Sequence, residues 1–175
     1  MAWYDSAVFY HIYPLGLTGA PEKNAYSAPV SRLRTLWPWV EHIRELGCNA
    51  LYIGPLFQSV GHGYETTDYF TLDSRLGTNE DLKDFVAYCH EKAIRVVLDG
   101  VFNHTGYVSR YFNGDGFYPD QGASQSWDSP YRPWFNFIHW PKEYESWWGI
   151  YSLPAVNERC PSYREFIFGG ENSVV

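Results

Sequence analysis

The sequence predicts an α/β fold built on parallel strands, and three observations carry that expectation. Short apolar runs without polar alternation recur at residues 7–13, 50–53 and 94–98. Strands covered on both faces read this way. Two segments with helical apolar spacing separate the runs. Strand, helix, strand, helix, strand is the order that right-handed crossovers produce, hence an α/β sheet or barrel.

Each element has its own signals. The first run closes at Pro14, and a loop bearing Gly, Pro and Asn follows over 15–29. In the first helix Pro38 sits near the first turn, where the missing N–H is not needed. Val40, Ile43 and Leu46 share one face, and Gly47 is the stop. The run 50–53 ends at Gly54-Pro55. Thr78 caps the second helix, Glu80 and Asp81 favour its positive end, and Leu82, Phe85, Val86 and Cys89 form the apolar stripe. Ala93 leads into the third strand. From 106 to 161 no period persists, which marks a functional loop region or a small subdomain. Helical character returns at Tyr163, Phe166 and Ile167, breaks at Gly169-Gly170 and restarts over 171–175. With no cap and no completed turn there, the chain reads as truncated.

Composition narrows the function. At 175 residues the chain supports one full core rather than two comfortable domains. A net charge of −7 argues against nucleic acid, whose binding depends on clustered Lys and Arg, and is compatible with a neutral or cationic small molecule. No apolar run is long enough for a membrane span. The start, Met1-Ala2-Trp3-Tyr4-Asp5, lacks the pattern of a secretory signal, so a cytoplasmic protein is expected, or one whose signal has been removed. Cys48, Cys89 and Cys160 fit neither a disulfide framework nor a zinc spacing and are expected as buried thiols. Aromatics are 19% of the chain, and five of the eight Trp lie within 127–148.

Chemistry-bearing residues collect just past the strands, where functional groups gather in parallel α/β folds. Asp99, Asn103 and His104 follow the third strand and form a compact hydrogen-bonding cluster suited to a polyhydroxylated ligand. The competing reading makes Asp99 a turn cap and His104 a satisfied, half-buried histidine. After the second strand comes His62-Gly63-Tyr64-Glu65-Thr66-Thr67-Asp68-Tyr69, read as a loop. Gly61 and Gly63 permit a sharp turn that projects Tyr64 as a flat platform for a pyranose face. Asp68 is expected to be structural, bonding backbone amides. Asn113-Gly114-Asp115-Gly116 with Asp120 does not complete a calcium loop and is expected to be a solvated turn.

Asp99-Gly100-Val101-Phe102-Asn103-His104 resembles the Asp-x-Val-x-Asn-His signature of the α-amylase family of glycoside hydrolases (family 13). Gly63-Tyr64 through Asp68-Tyr69 is similar to the strand-two loop of that family, and Leu153-Pro154-Ala155-Val156-Asn157 to the short motif in the domain inserted after strand three. Tyr144-Glu145-Ser146-Trp147-Trp148-Gly149 looks most like the neopullulanase and cyclomaltodextrinase branch.

The resemblance implies a partial TIM (β/α)₈ barrel holding strands one to three with an inserted subdomain after strand three. Residues 1–105 would form the first barrel units, 106–160 the aromatic-rich inserted subdomain (domain B), and 161–175 the start of the third barrel helix. It implies an α-glucan or maltooligosaccharide substrate, with Tyr64 stacking on the sugar, His104 hydrogen-bonding it and Asp99 holding neighbouring groups. Asn103 matches a position that binds calcium in many members; no cofactor is required, and calcium is admitted. The nucleophile and the acid/base of a retaining glycosidase, two carboxyl groups roughly 5 Å apart, match no Asp or Glu motif here and would fall beyond Val175. The 175 residues alone are therefore expected to be inactive. An open barrel edge would favour oligomers. Two other readings are a non-catalytic carbohydrate-binding or interaction protein on the same barrel, and an unrelated α/β barrel in which Asp99 and His104 do acid/base work. Most of the 127–151 aromatics are expected in a core, with one or two lining a sugar groove.

Overall fold

The structure, a computed structural model, describes residues 2–175; Met1 lies outside the described residues. In chain order the elements are β1 (Phe9–Ile12), α1 (Pro14–Leu17), α2 (Trp37–Glu45), β2 (Ala50–Ile53), β3 (Phe57–Ser59), β4 (Thr66–Leu72), α3 (Asn79–Glu91), β5 (Arg95–Leu98), β6 (Phe137–His139), β7 (Glu143–Tyr144) and α4 (Pro161–Phe168). Short 3₁₀ turns punctuate them. No helix among the described residues is long and apolar enough to cross a membrane.

The chain divides into two compact units, Met1–Leu56 with Thr71–Gly100, and Phe57–Phe70 with Val101–Val175. The first carries a parallel three-stranded sheet in the order β1-β2-β5. Register runs from Phe9 opposite Ala50 to Ile12 opposite Ile53, and from Ala50 opposite Arg95 to Ile53 opposite Leu98. The parallel strands and the intervening helices bear out the α/β expectation. The core of this unit is aliphatic: Ile12, Leu33, Leu36, Val40, Ile43, Leu51, Ile53, Leu76 and Phe85 pack together.

Local chemistry explains the helices. Thr78 accepts from Asp81 N at 3.2 Å while Asp81 Oδ2 accepts from Thr78 N at 2.9 Å, a reciprocal capping box that satisfies two orphan donors of α3. Arg34 adds an ion pair to Asp81 at 3.1 Å. Pro38 occupies the first turn of α2, as expected.

Several expectations change. β1 was expected to be buried on both faces, yet Phe9 and His11 are exposed. In this unit helices cover only the face bearing Ile12, Leu51 and Ile53. Leu46, expected on the buried face of α2, is 57% exposed, because the helix ends at Glu45 and Leu46 falls past its packed turns. The segment after β2 is not a simple loop: β3 and β4 form a two-stranded sheet. Residues 171–175 make turns rather than a restarted helix; Val174 N and Val175 N bond back to Phe166 O and Ile167 O, at 3.0 and 2.8 Å, and fold the tail onto α4. The three cysteines are free; Cys89 and Cys160 are buried, and Cys48 is only half-buried.

The second unit has little regular structure and an aromatic core. Tyr69, Tyr111, Phe112, Trp134, Phe135, Tyr144 and Tyr163 are buried together. Phe112 is fully buried, with Tyr144 at 4.7 Å and Phe135 at 5.0 Å, both edge to face. Aromatic pairs prefer such arrangements over face-to-face sandwiches. Asn113 is a correction: it is fully buried, not part of a solvated turn. Its Nδ2 donates to Tyr118 O, Asp120 O and Gln125 Oε1 at 2.8, 2.8 and 2.9 Å, and its Oδ1 accepts from Tyr118 N at 3.0 Å. One amide thus staples the whole 118–125 loop.

Candidate functional site

Within the second unit a cleft of about 430 Å³ is lined by His62, Tyr64, Val101, Asn103, His104, Trp147, Ile150 and Leu153. Three of the four predicted site residues, Tyr64, Asn103 and His104, meet there. Asp99 belongs to the first unit, where it directly follows β5 with its N–H donating to Ile53 O at 3.0 Å. In that unit a Cβ on Gly54 would lie 1.9 Å from the Cβ of Asp99, so only glycine leaves room for Asp99 at the end of the neighbouring strand.

Backbone pairing assembles the cleft. Val156 N donates to Asn103 O at 3.1 Å, Thr105 N to Pro154 O at 3.2 Å and Tyr107 N to Ser152 O at 2.9 Å. On its other side the 152–156 segment bonds 145–147, through Ala155 N to Glu145 O and Trp147 N to Leu153 O, both at 2.9 Å. Three of the four motifs singled out in the sequence, those at 99–104, 144–149 and 153–157, therefore meet in one hydrogen-bonded ribbon. It brings His104, Leu153 and Trp147 side by side, with the His104 and Trp147 rings 5.2 Å apart.

Two phenols anchor the chain that leads into His104. Tyr69 Oη donates to Val101 O at 2.6 Å, and Tyr163 Oη to Phe102 O at 2.6 Å. Burial pushes both phenols far above their ordinary range, so they remain donors.

Tyr64 is presented by a turn in which Gly63 takes φ 105°, a conformation open to glycine, as the sequence anticipated. Its ring is 40% exposed. The turn is tied internally: Tyr64 N donates to His62 Nδ1 at 3.3 Å, and His62 Nε2 lies 3.1 Å from Glu65 Oε1. Asp68 is structural, as expected. Its Oδ1 accepts from Phe70 N at 2.9 Å, and its Oδ2 pairs with Arg110 at 3.1 Å.

His104 is 3% exposed, and its Nε2 lies 3.1 Å from Tyr64 O. A carbonyl only accepts, so Nε2 carries the proton and Nδ1 presents a lone pair. That Nδ1 is buried and has no partner. Burial lowers the His104 pKa, against smaller opposing effects of the Tyr64 carbonyl and the Glu65 charge. The ring is thus neutral near neutral pH, and it fastens Tyr64 through the backbone of that residue.

Asn103 offers one amide, no three His, Cys, Asp or Glu side chains gather among the described residues, and Asn113 Oδ1 is already engaged.

Of the aromatic stretch, Trp134, Phe135 and Tyr144 are core, and Trp147 lines the cleft. His62, Trp147, Ile150 and Leu153 were not assigned to the site from sequence. Trp147 carried two signals, its place in the branch-like motif 144–149 and its membership of the 127–151 aromatics, of which one or two were expected to line a groove.

The family model "Alpha amylase, catalytic domain" matches residues 33–172. The chain belongs to the α-amylase family. Among curated members of the family, it is 37% identical over 148 residues to an amylopullulanase of Thermoanaerobacterium saccharolyticum, covering 77% of this chain and 12% of that protein. It is 29% identical over 193 residues to a cyclomaltodextrinase of Bacillus sp, covering 95% and 32%. Among solved family structures, a cyclic α-maltosyl-(1→6)-maltose hydrolase from Arthrobacter globiformis matches with TM-score 0.76 at 31% identity, covering 93% of this chain and 40% of that one. A debranching enzyme of Nostoc punctiforme matches with TM-score 0.73 at 29% identity, over 94% and 39%. The chain therefore spans well under half the length of each of these relatives. Their shared catalytic domain is the α-amylase barrel, and the parallel β1-β2-β5 sheet with its helices is an α/β piece consistent with it.

Proposed function

We propose that these residues form the sugar-recognising front of an α-amylase-type retaining glycoside hydrolase that acts on α-1,4 and, in some substrates, α-1,6 bonds of α-glucans or maltooligosaccharides. The observation that carries this reading is the cleft of the second unit, which joins an exposed Tyr64 ring, Asn103, neutral His104 and Trp147. None of its lining residues is Asp, Glu, Lys or Arg, which suits a neutral ligand. Apolar walls with a few fixed polar groups are what a small-molecule site needs.

In this reading Tyr64 receives a pyranose face. His104 fixes the Tyr64 turn through its Nε2–H, and hydrogen-bonding of a sugar hydroxyl by Nδ1 requires the side chains that bury that atom to move aside. Asp99 holds neighbouring active-site groups. Residues 106–160 are read as the inserted subdomain. The nucleophile and the acid/base come from outside the 175 residues, so this chain alone binds glucan without cleaving it. β1 and β5 leave strand edges open among the described residues, and the chain alone is expected to self-associate in sedimentation velocity.

The test is a calorimetric titration of maltoheptaose into the chain and its Tyr64→Ala variant, beside an assay for reducing ends. Millimolar binding that falls roughly tenfold in the variant, without release of reducing ends, is the expected result. Absence of binding at millimolar sugar would sink the recognition role, and sugar release would sink the assignment of catalysis elsewhere.

A further inference from the structure

Trp148 is the most exposed large apolar side chain among the described residues, at 84%. Its backbone sits at φ 52°, ψ 26°, and Gly149 follows at φ 76°. Ile150 N closes this turn on Trp147 O at 3.0 Å. Two consecutive positive φ values inside a hydrogen-bonded four-residue turn give the type I′ geometry, whose first central position favours Asn or Gly. A bulky aromatic is a costly choice there. The side chain gains no burial in exchange. Its main contact is a parallel stack on Trp147, with centroids 4.4 Å apart and planes 6° from parallel. Trp147 itself lines the cleft and touches His104. A residue ill-suited to its backbone and left in water is not accounted for by the fold.

Resting on the α-glucan reading, the geometry points to Trp148 as a second sugar platform outside the cleft, receiving a glucosyl ring further along a bound chain than the unit at Tyr64. One indole face is taken by Trp147 and the other is open to water. The parallel stack holds the ring in one orientation, so little conformational freedom remains to be lost on binding. A pyranose presents a face of C–H groups to such a ring, and a neutral ligand fits the uncharged cleft beside it. A disaccharide occupies the cleft alone, whereas a longer chain reaches both platforms. Trp148 therefore sets a preference for chain length rather than the ability to bind sugar.

The test is a calorimetric titration of maltose and maltoheptaose into the wild-type chain and the variants Trp148→Asn, Trp148→Phe and Tyr64→Ala, with sedimentation and thermal melts on each. Trp148→Asn is expected to weaken maltoheptaose roughly fivefold and to leave maltose unchanged. Trp148→Phe is expected to keep most of the affinity, and Tyr64→Ala to weaken both sugars. Because Asn suits the turn, Trp148→Asn should melt no lower than wild type. Wild-type affinity for both sugars in Trp148→Asn, with Tyr64→Ala weakened, would overturn the platform and leave the cleft reading standing. Equal loss of both sugars in Trp148→Asn would mark damage to the cleft and also overturn it. So would a Trp148→Asn change confined to sedimentation, which would make the indole a protein contact. No binding of either sugar by wild type sinks both readings.

Discussion

The first unit is held by aliphatic side chains packed between helices and a parallel sheet; the second is held by aromatic rings packed between loops. Regular elements satisfy their own backbone groups, so their side chains need supply only apolar surface. Loops do not, and their side chains must also find partners for stray carbonyls. Tyr and Trp do both, offering a large apolar body and a polar tip. In the second unit Tyr144 Oη donates to Tyr151 O at 2.8 Å and Trp140 Nε1 to Ala123 O at 2.9 Å, beside the Tyr69 and Tyr163 bonds. The difference explains why the aromatic content concentrates where secondary structure fails.

The largest expected effect tests that distinction at its centre. Phe112→Ala should cost about 4 kcal/mol and Leu51→Ala about 3 kcal/mol. Only the Phe112 change should also erase near-ultraviolet circular dichroism, because it dismantles the ring cluster. Denaturant titrations followed at both wavelengths check this, and loss of the aromatic signal in Leu51→Ala would break the comparison.

A smaller change isolates the polar tips. Tyr163→Phe keeps the ring and orphans Phe102 O, with an expected cost of about 2 kcal/mol in denaturant unfolding. A cost near zero would mean that the phenols of the second unit act as apolar bulk only.

The subtlest contrast is in pH. In the first unit, hydrogen bonds from the Thr78 backbone, Ser31, the Thr78 hydroxyl and Arg34 hold Asp81 from 3.8 down to about 2. That stability is fully present above about 3.8 and is lost as pH falls through about 2, an effect of about 1–2 kcal/mol. In the second unit burial depresses His104 below 6.5, so its contribution is complete above 6.5 and fades as pH falls through the lowered value. Acidification from neutrality should therefore loosen the second unit first. Hydrogen exchange at successive pH values measures it, and His104→Gln should remove the early step; simultaneous loosening of both units would count against this assignment.

Legibility followed the same divide. β2 matches the apolar run 50–53, and Thr78 caps α3 through the anticipated hydroxyl. The β3–β4 pair went unread because β3 has only three residues and β4 buries four in succession, Thr66 to Tyr69, without strict alternation. Tyr64, Asn103 and His104 were found from their motifs, whereas Trp147 was lost among chemically identical neighbours.

By itself the sequence determined the order β1, α2, β2, α3, β5, the α3 cap and the family signature, because these depend on spacings of a few residues along one chain. The tertiary structure decided which aromatics are core and which line the cleft, that Asn113 is a buried staple, and that His104 holds Tyr64 through its carbonyl. The cleft depends on hydrogen bonds between segments about 40–50 residues apart, backbone pairs joining 103–107 to 152–156 and the His104 ring to the Tyr64 carbonyl, while the Asn113 staple depends on how the 118–125 loop folds back over it, and no local pattern encodes either.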